Sequence, residues 1–198
     1  MIFAIAGLSG AGKTTVAKKI TELFDIDFTL SYTTRPMRNT EKQDVDYHFI
    51  TNKQYDNMAK NNELIAKESF KTDFGVWKYG FKKKELLKNP LSIAVINPNG
   101  INDLKKDGLP IISICIEVDE NERAKRLNKR NDNQPKKEIK RRTAKDFEMF
   151  KNYNFDYRVE NDDFDKCVNE IAKIIISNIN KEQREKVNKF VANQIKRV

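Results

Sequence analysis

Residues 7–14 read Gly-Leu-Ser-Gly-Ala-Gly-Lys-Thr and match the pattern G-x-x-x-x-G-K-[ST]. Ordinary residue frequencies give such a match by chance in roughly 1% of chains of this length. The flanks make it more specific. Ile2–Ala6 is an apolar run ending on glycine, as a buried parallel strand would be. Lys13–Phe24 carries Val16, Ile20, Leu23 and Phe24 at helical spacing. Strand, glycine-rich loop and helix N-terminus in that order make a phosphate cradle. Glycines let backbone N–H groups turn inward, and the helix end adds partial positive charge. Gly7, Ser9, Gly10, Ala11, Gly12, Lys13, Thr14 and Thr15 are thus candidates for holding the phosphates of ATP. Lys13 is the candidate catalytic cation between the β- and γ-phosphates, and the Thr14 hydroxyl is the candidate Mg2+ ligand. The alternative is a glycine-rich structural turn.

Beyond the loop, strands alternate with helices. Ser92–Ile96 and Ile111–Val118 are the most apolar runs and suit the centre of a sheet. Ile26–Leu30 and Tyr157–Glu160 read as further strands, and Leu64–Phe70 with Val76–Phe81 as a hairpin. Thr51 can cap a helix. Asp119 and Glu122 form a capping-box pattern for a helix through Leu127. Pro135 suits the first turn of a second basic helix reaching about Tyr153. Val168, Ile171, Ile175 and Ile179 line one face of the helix after the last strand. The alternation predicts an α/β, P-loop NTPase-type three-layer fold with a parallel central sheet.

The 198 residues can bury a core without a metal or disulfide staple. Cys115 and Cys167 are too few and too far apart for a disulfide framework and read as reduced thiols of a cytoplasmic protein. No apolar run reaches the roughly 18 residues of a membrane span, and MIFAIAG reads as a strand rather than a signal peptide. Lys and Arg number 38 against 29 Asp and Glu, a formal +9. That excess favours anionic partners, or else it is a solvated lysine-rich surface.

Residues 31–50 read SYTTRPMRNTEKQDVDYHFI. Arg35 and Arg38 each offer a planar fork matched to phosphate, and their spacing lets both converge on one group. Pro36 fixes φ between them, and the hydroxyls of Ser31, Thr33, Thr34 and Tyr47 add neutral donors. On local chemistry the segment is either a phosphate site or a solvated loop.

S-x-T-T-R-x-x-R-x-x-E followed by D-Y-H-F resembles the nucleoside-monophosphate-binding segment of the guanylate kinase family, and the resemblance spans about residues 1–180. It implies that Ser31 touches the acceptor base, that Arg35, Arg38, Tyr47 and Tyr79 hold its phosphate, and that Glu41 orients the arginines. It implies a lid in which Arg130 and Arg142 come over the phosphates, and an adenine-side role for Asn161. His48, the only histidine, falls where the family has a packing residue. The implied division is a core of 1–31, 84–128 and 143–180, an acceptor-binding insert of 32–83 and a lid of 129–142. The basic 181–198 forms a tail helix, packed on its own domain or turned to a partner.

Three positions depart from the family, all near the base. Leu64-Ile65 is followed by Ala66 where the family has a glutamate, with Glu68 two residues on and so on the same face of a regular strand. Phe81 replaces a hydroxyl residue, and Asn97 stands where an acid is expected. The resemblance implies ATP and Mg2+ as donor and cofactor, and GMP or dGMP as acceptor. Another nucleoside monophosphate or a phosphorylated sugar are the alternatives. A non-catalytic phosphopeptide-binding module competes, but such modules have degraded phosphate loops and this one is complete. The basic stretch Lys136–Lys145 motivates a nucleic-acid-binding ATPase, against which stands the lack of an acid in Val95–Asn97.

Overall fold

The structure, a computed structural model, describes residues 1–24, 26–72, 74–129, 147–185 and 187. In chain order its elements begin with β1 (Ile2–Gly7), α1 (Lys13–Phe24), β2 (Asp27–Thr29), β3 (Tyr32–Thr33), β4 (His48–Phe49) and α2 (Asn52–Lys60). There follow β5 (Leu64–Thr72), β6 (Gly75–Lys82), α3 (Lys83–Leu86), β7 (Ser92–Val95), α4 (Pro98–Lys106), β8 (Ile111–Glu117) and α5 (Glu120–Lys129). A helical segment 147–151 (α6), β9 (Tyr157–Glu160) and α7 (Phe164–Asn178) complete the series.

β1 is buried along its whole length because it is the middle strand of a five-stranded sheet of order β2-β7-β1-β8-β9. Every pairing in that sheet is parallel. The alternation of a strand sends Phe3 and Ile5 to one face and Ile2, Ala4 and Ala6 to the other. On the first face they meet Val16, Ala17 and Ile20 of α1 and Val168, Ile171 and Ile175 of α7. On the second they meet Leu86 of α3, Ile101 and Leu104 of α4, and Phe150 of α6. These are the three layers expected from the alternating pattern. Val187, from the predicted tail helix, is also buried in the first layer.

Local details differ from the sequence reading where tertiary partners intervene. Leu23 lies at the edge of the α1 face and is 36% exposed. Asp119 does cap α5, accepting from the N–H groups of Asn121 and Glu122. The reciprocal half of the box is absent: Glu122 accepts from Arg126 Nε at 3.0 Å, and the Asp119 N–H donates to Asp162. A charged partner one turn along outbids a backbone amide for the carboxylate. Thr51, by contrast, forms a full capping box with Gln54.

The second sheet, β4-β3-β6-β5, is built from residues 32–82. Its β3 and β4 are two residues each, and periodicity does not show them. Helix α4 is absent from the periodicity reading, although Asn97 as N-cap and Pro98 at its first position are legible signals. An ion pair at 2.9 Å from Lys18 of α1 to Asp46 ties the 42–46 loop to the core. Both cysteines are buried free thiols, and burial pushes each up to about 11. Among the described residues, no helix is long and apolar enough to cross a membrane.

Candidate active site

A cavity of about 260 Å3 opens where β1 and β7 end and the second sheet faces them. In parallel sheets the strand C-termini are where loops gather to bind ligands. From one side it is lined by Gly7, Ser9, Gly10, Gly12, Lys13, Thr14 and Thr15. From the other it is lined by Ser31, Arg35, Arg38, Tyr47, Glu68, Tyr79 and Asn97. The phosphate loop with the start of α1, and the second sheet with the end of β7, thus face one space. Three candidates sit behind it: Ala11 is buried in the core, Glu41 backs the arginines, and Asn161 backs the loop. Arg130 and Arg142 lie outside the described residues.

The loop leaves β1 with Gly7, Gly10 and Gly12 all at positive φ. Ala11 donates its N–H to the Leu8 carbonyl at 3.1 Å, and Lys13 Nζ donates to the same oxygen at 3.0 Å. Behind the loop, Asn161 is 3% exposed and its Nδ2 donates to the Ala11 carbonyl at 2.7 Å. The Asn161 N–H donates to Glu117 O, so the residue pins the loop to the ends of β8 and β9. Arg126, which sequence reasoning passed over in favour of Arg130, donates to the Asn161 carbonyl at 3.0 Å. Its guanidinium lies beside Gly12. Its place four residues after Glu122 was the available signal.

Gly12 shows how tight the cradle is. A Cβ there would lie 2.5 Å from Asn161 Nδ2, and the backbone sits at φ +89°. Gly12→Ala is expected to lower stability by about 1–3 kcal/mol and to raise the KM for ATP. Thermal melts with and without ATP, beside initial rates, check both effects; an unchanged melt and KM would count against the pinned loop.

The acceptor side is organised by Glu41. Arg35 Nη2 donates to Glu41 Oε1 at 2.7 Å, and the Arg38 N–H donates to Glu41 Oε2 at 2.9 Å. The Arg35 guanidinium also donates to the Pro36 carbonyl at 2.8 Å and lies 5.3 Å from the centre of the Tyr47 ring. Burial is the largest influence and opposes its charge, but the bond to Glu41, the charge of Glu41 and the neighbouring Tyr79 and Tyr47 together outweigh it and hold the guanidinium above its ordinary value. Tyr47 meets Tyr79 edge-on at 6.3 Å. Burial, helped by Tyr79 and opposed by Arg35, raises the Tyr47 phenol, which stays a neutral hydrogen-bond donor at pH 7.

Not every hydroxyl of this segment reaches the cavity. Thr33 Oγ1 accepts from the Arg35 N–H, and Thr34 Oγ1 accepts from the Lys78 N–H. Both oxygens shape the loop by accepting backbone N–H groups, and neither residue lines the cavity. His48 packs tilted against Tyr32, with ring centres 4.4 Å apart, and its Nδ1 lies 2.6 Å from Asp44 Oδ1. Phe70, Ile96, Gly100 and Phe150 also line the cavity and were not singled out in the sequence. Phe70 packs edge-on against Tyr79 at 5.6 Å. Among the described residues, the lining has cations at both ends, hydroxyl and phenol donors, and one acidic side chain, Glu68. That composition suits two phosphorylated ligands placed end to end.

Comparison with known proteins agrees with this. The guanylate kinase family model matches residues 2–178. A guanylate kinase of Legionella pneumophila (strain Paris) is 32% identical over 183 residues, covering 89% of this chain and 86% of its own. One from Mycoplasma genitalium is 31% identical over 184 residues, covering 89% and 75%. The crystal structure of guanylate kinase from Anaplasma phagocytophilum superposes with a TM-score of 0.68 at 23% identity, covering 93% of this chain and 88% of that one.

Proposed function

The chain belongs to the guanylate kinase family, and on that premise we propose that it transfers the γ-phosphoryl group of ATP to GMP or dGMP, giving ADP and GDP or dGDP. The observation that carries the reading is the shared cavity, lined at one end by the phosphate loop and at the other by Arg35, Arg38, Tyr47 and Tyr79. Lys13 and the loop N–H groups hold the phosphates of ATP. The two arginines and two tyrosines hold the acceptor phosphate, and Ser31, Glu68 and Asn97 face the base.

Phosphoryl transfer needs no covalent help from the protein, so the work is positioning and charge stabilisation. The acceptor phosphate oxygen attacks the γ-phosphorus in line, and the bond to the β-phosphate oxygen breaks. Lys13 stabilises charge gathering on the transferring group and the leaving oxygen. Arg130 and Arg142 add to this from the lid, and closure of the insert (32–83) and lid (129–142) excludes water. The Thr14 hydroxyl is a hard oxygen donor on the cavity wall, and Mg2+ takes few protein ligands when phosphates supply the rest, so the residue present fits that ion. When bound, Mg2+ neutralises phosphate charge. A cytoplasmic location accords with two buried free thiols.

ADP release measured with Mg-ATP and each common NMP and dNMP tests the proposal. GMP and dGMP are expected to give the highest kcat/KM; turnover of no nucleotide would sink it. Phe81 and Ala66 in the cavity wall favour a second reading, a different monophosphate base, and the same assay decides between the two.

A further inference from the structure

We infer that Lys18 and Asp46 are positioning residues: their ion pair fixes Tyr47, which holds the acceptor phosphate, to the helix that begins at the phosphate loop. The role rests on the function proposed above and falls to two side chains that do not line the cavity.

Helix α1 carries both ends of the connection. Lys13, Thr14 and Thr15 in its first turn line the cavity, while Val16, Ala17 and Ile20 bury against the central sheet. Lys18 follows Thr14 by four residues, so it lies on the same side of the helix, one turn on. The apolar face sets the rotation of α1, which leaves Lys18 half-buried at its flank and Lys19 exposed. From there Nζ donates to Asp46 Oδ1 at 2.9 Å.

The loop it meets is closed on itself. The Lys42 N–H donates to Asp46 Oδ2 at 2.9 Å, and the Asp46 N–H donates to the Lys42 carbonyl at 3.1 Å. The Asp44 N–H donates to the Tyr47 carbonyl at 3.0 Å, and the Phe49 N–H to Gln43 Oε1 at 3.0 Å. One oxygen of the Asp46 carboxylate thus closes the turn, and the other takes the lysine. Burial opposes the Asp46 charge, but the bonds from Lys18 and Lys42 and the charges of both outweigh it and hold the carboxyl below its ordinary value. Tyr47 is the next residue, with its ring against Arg35 and Tyr79.

In-line transfer needs the acceptor oxygen at a set place relative to the γ-phosphate, and small misplacements are costly. The loop that holds ATP and the ring that holds the acceptor are tied here through one turn of α1 and one ion pair. With side chains 37% and 22% exposed, the pair adds little to overall stability. Its effect falls instead on the freedom of Tyr47.

Lys18→Met keeps the apolar stem and removes the charge. The KM for GMP is expected to rise roughly three- to tenfold, the scale of one net hydrogen bond, with the KM for ATP changed less than about twofold. Tm should fall by less than about 3 °C. Lys18→Arg, which keeps the charge, should recover most of the loss. Asp46→Asn should give a similar rise and the double variant no further one, since either change alone breaks the pair. The wild-type advantage should narrow as salt is raised from about 0.05 to 0.5 M, as a charge interaction does and a packing contact does not. Without nucleotide, the amides of residues 42–46 should exchange hydrogen faster in Lys18→Met. An unchanged KM for GMP overturns the inference, as do equal rises for both substrates, an additive double variant or unchanged exchange. Should Lys18→Met not fold, Asp46→Asn carries the same measurements with the same outcomes. Absence of GMP and dGMP turnover by the wild-type chain would instead remove the function proposed above, and the exchange rates would still decide whether the pair holds the loop.

Discussion

Lys13→Ala is expected to lower kcat/KM by about a hundred- to a thousandfold, the scale on which removing one preorganised charge-stabilising donor acts, while leaving the fold intact. The side chain lies at the start of α1, half-buried and on the cavity wall, with Nζ 3.0 Å from the Leu8 carbonyl. It belongs to neither core cluster, so truncation opens no apolar cavity. The lost interaction grows as charge moves onto the transferring phosphoryl, so most of the loss falls on kcat. Lys13→Arg should not rescue it, because a planar fork cannot occupy the place of a compact ammonium inside the loop. Full initial-rate surfaces beside thermal melts test this. A variant retaining more than about a third of wild-type kcat/KM would show that the phosphate loop is not where transfer occurs.

Arg38→Ala and Arg35→Ala should fail in different ways. Arg38 keeps its side chain 16% exposed on the cavity wall, and its N–H, which survives substitution, makes the shorter contact to Glu41. Its alanine variant is expected to fold and to raise acceptor KM roughly ten- to a hundredfold, the range for a charge-assisted bond to phosphate. The KM for ATP should change less than about threefold. Arg35 is different: its side chain is 3% exposed, paired at 2.7 Å with a Glu41 side chain that is itself 12% exposed. Removing it strands a largely buried carboxylate, which costs about 3–5 kcal/mol and corresponds to a Tm lower by roughly 10 °C in a domain this size. Melting curves and two-substrate kinetics on both variants separate the effects. Equal rises in both KM values for Arg38→Ala would withdraw that residue from the acceptor site, and an unshifted Tm for Arg35→Ala would deny the buried pair.

The contrast between these arginines was not legible in the sequence, where both read as equivalent forks around Pro36. Their difference comes from Glu41, which binds one guanidinium and the other residue's backbone. Thr33 and Thr34 looked like ligand donors because hydroxyls sit among cations; strand pairing with β6 claims one and the arginine loop the other. The two-residue strands β3 and β4 have no periodicity to detect, since their ladder depends on distant partners: Tyr32 and Thr33 pair with Gly80 and Tyr79 of β6, and with His48 and Phe49 of β4. Helix α4, by contrast, is encoded locally. Its cap, its proline and its apolar pair Ile101 and Leu104 are all local signals.

The sequence alone determined the phosphate-loop motif and the parallel sheet around it, and it marked Arg35 and Arg38 as a candidate second anion site. Those follow from short-range rules: glycine where φ is positive, apolar runs where both faces are covered, and paired guanidinium groups whose forks match a phosphate. It also marked Ala66, Glu68, Phe81 and Asn97 as the positions where this chain leaves its family. What only the tertiary structure decided is how those positions act on one another. A bulge shifts β5 by one residue, a glycine lets α4 approach, and an amide fixed at one end by its own helix meets a carboxylate at the other. Each is a contact between segments distant in the chain, and its energy depends on orientation and on solvent exclusion, which residue type and spacing do not encode.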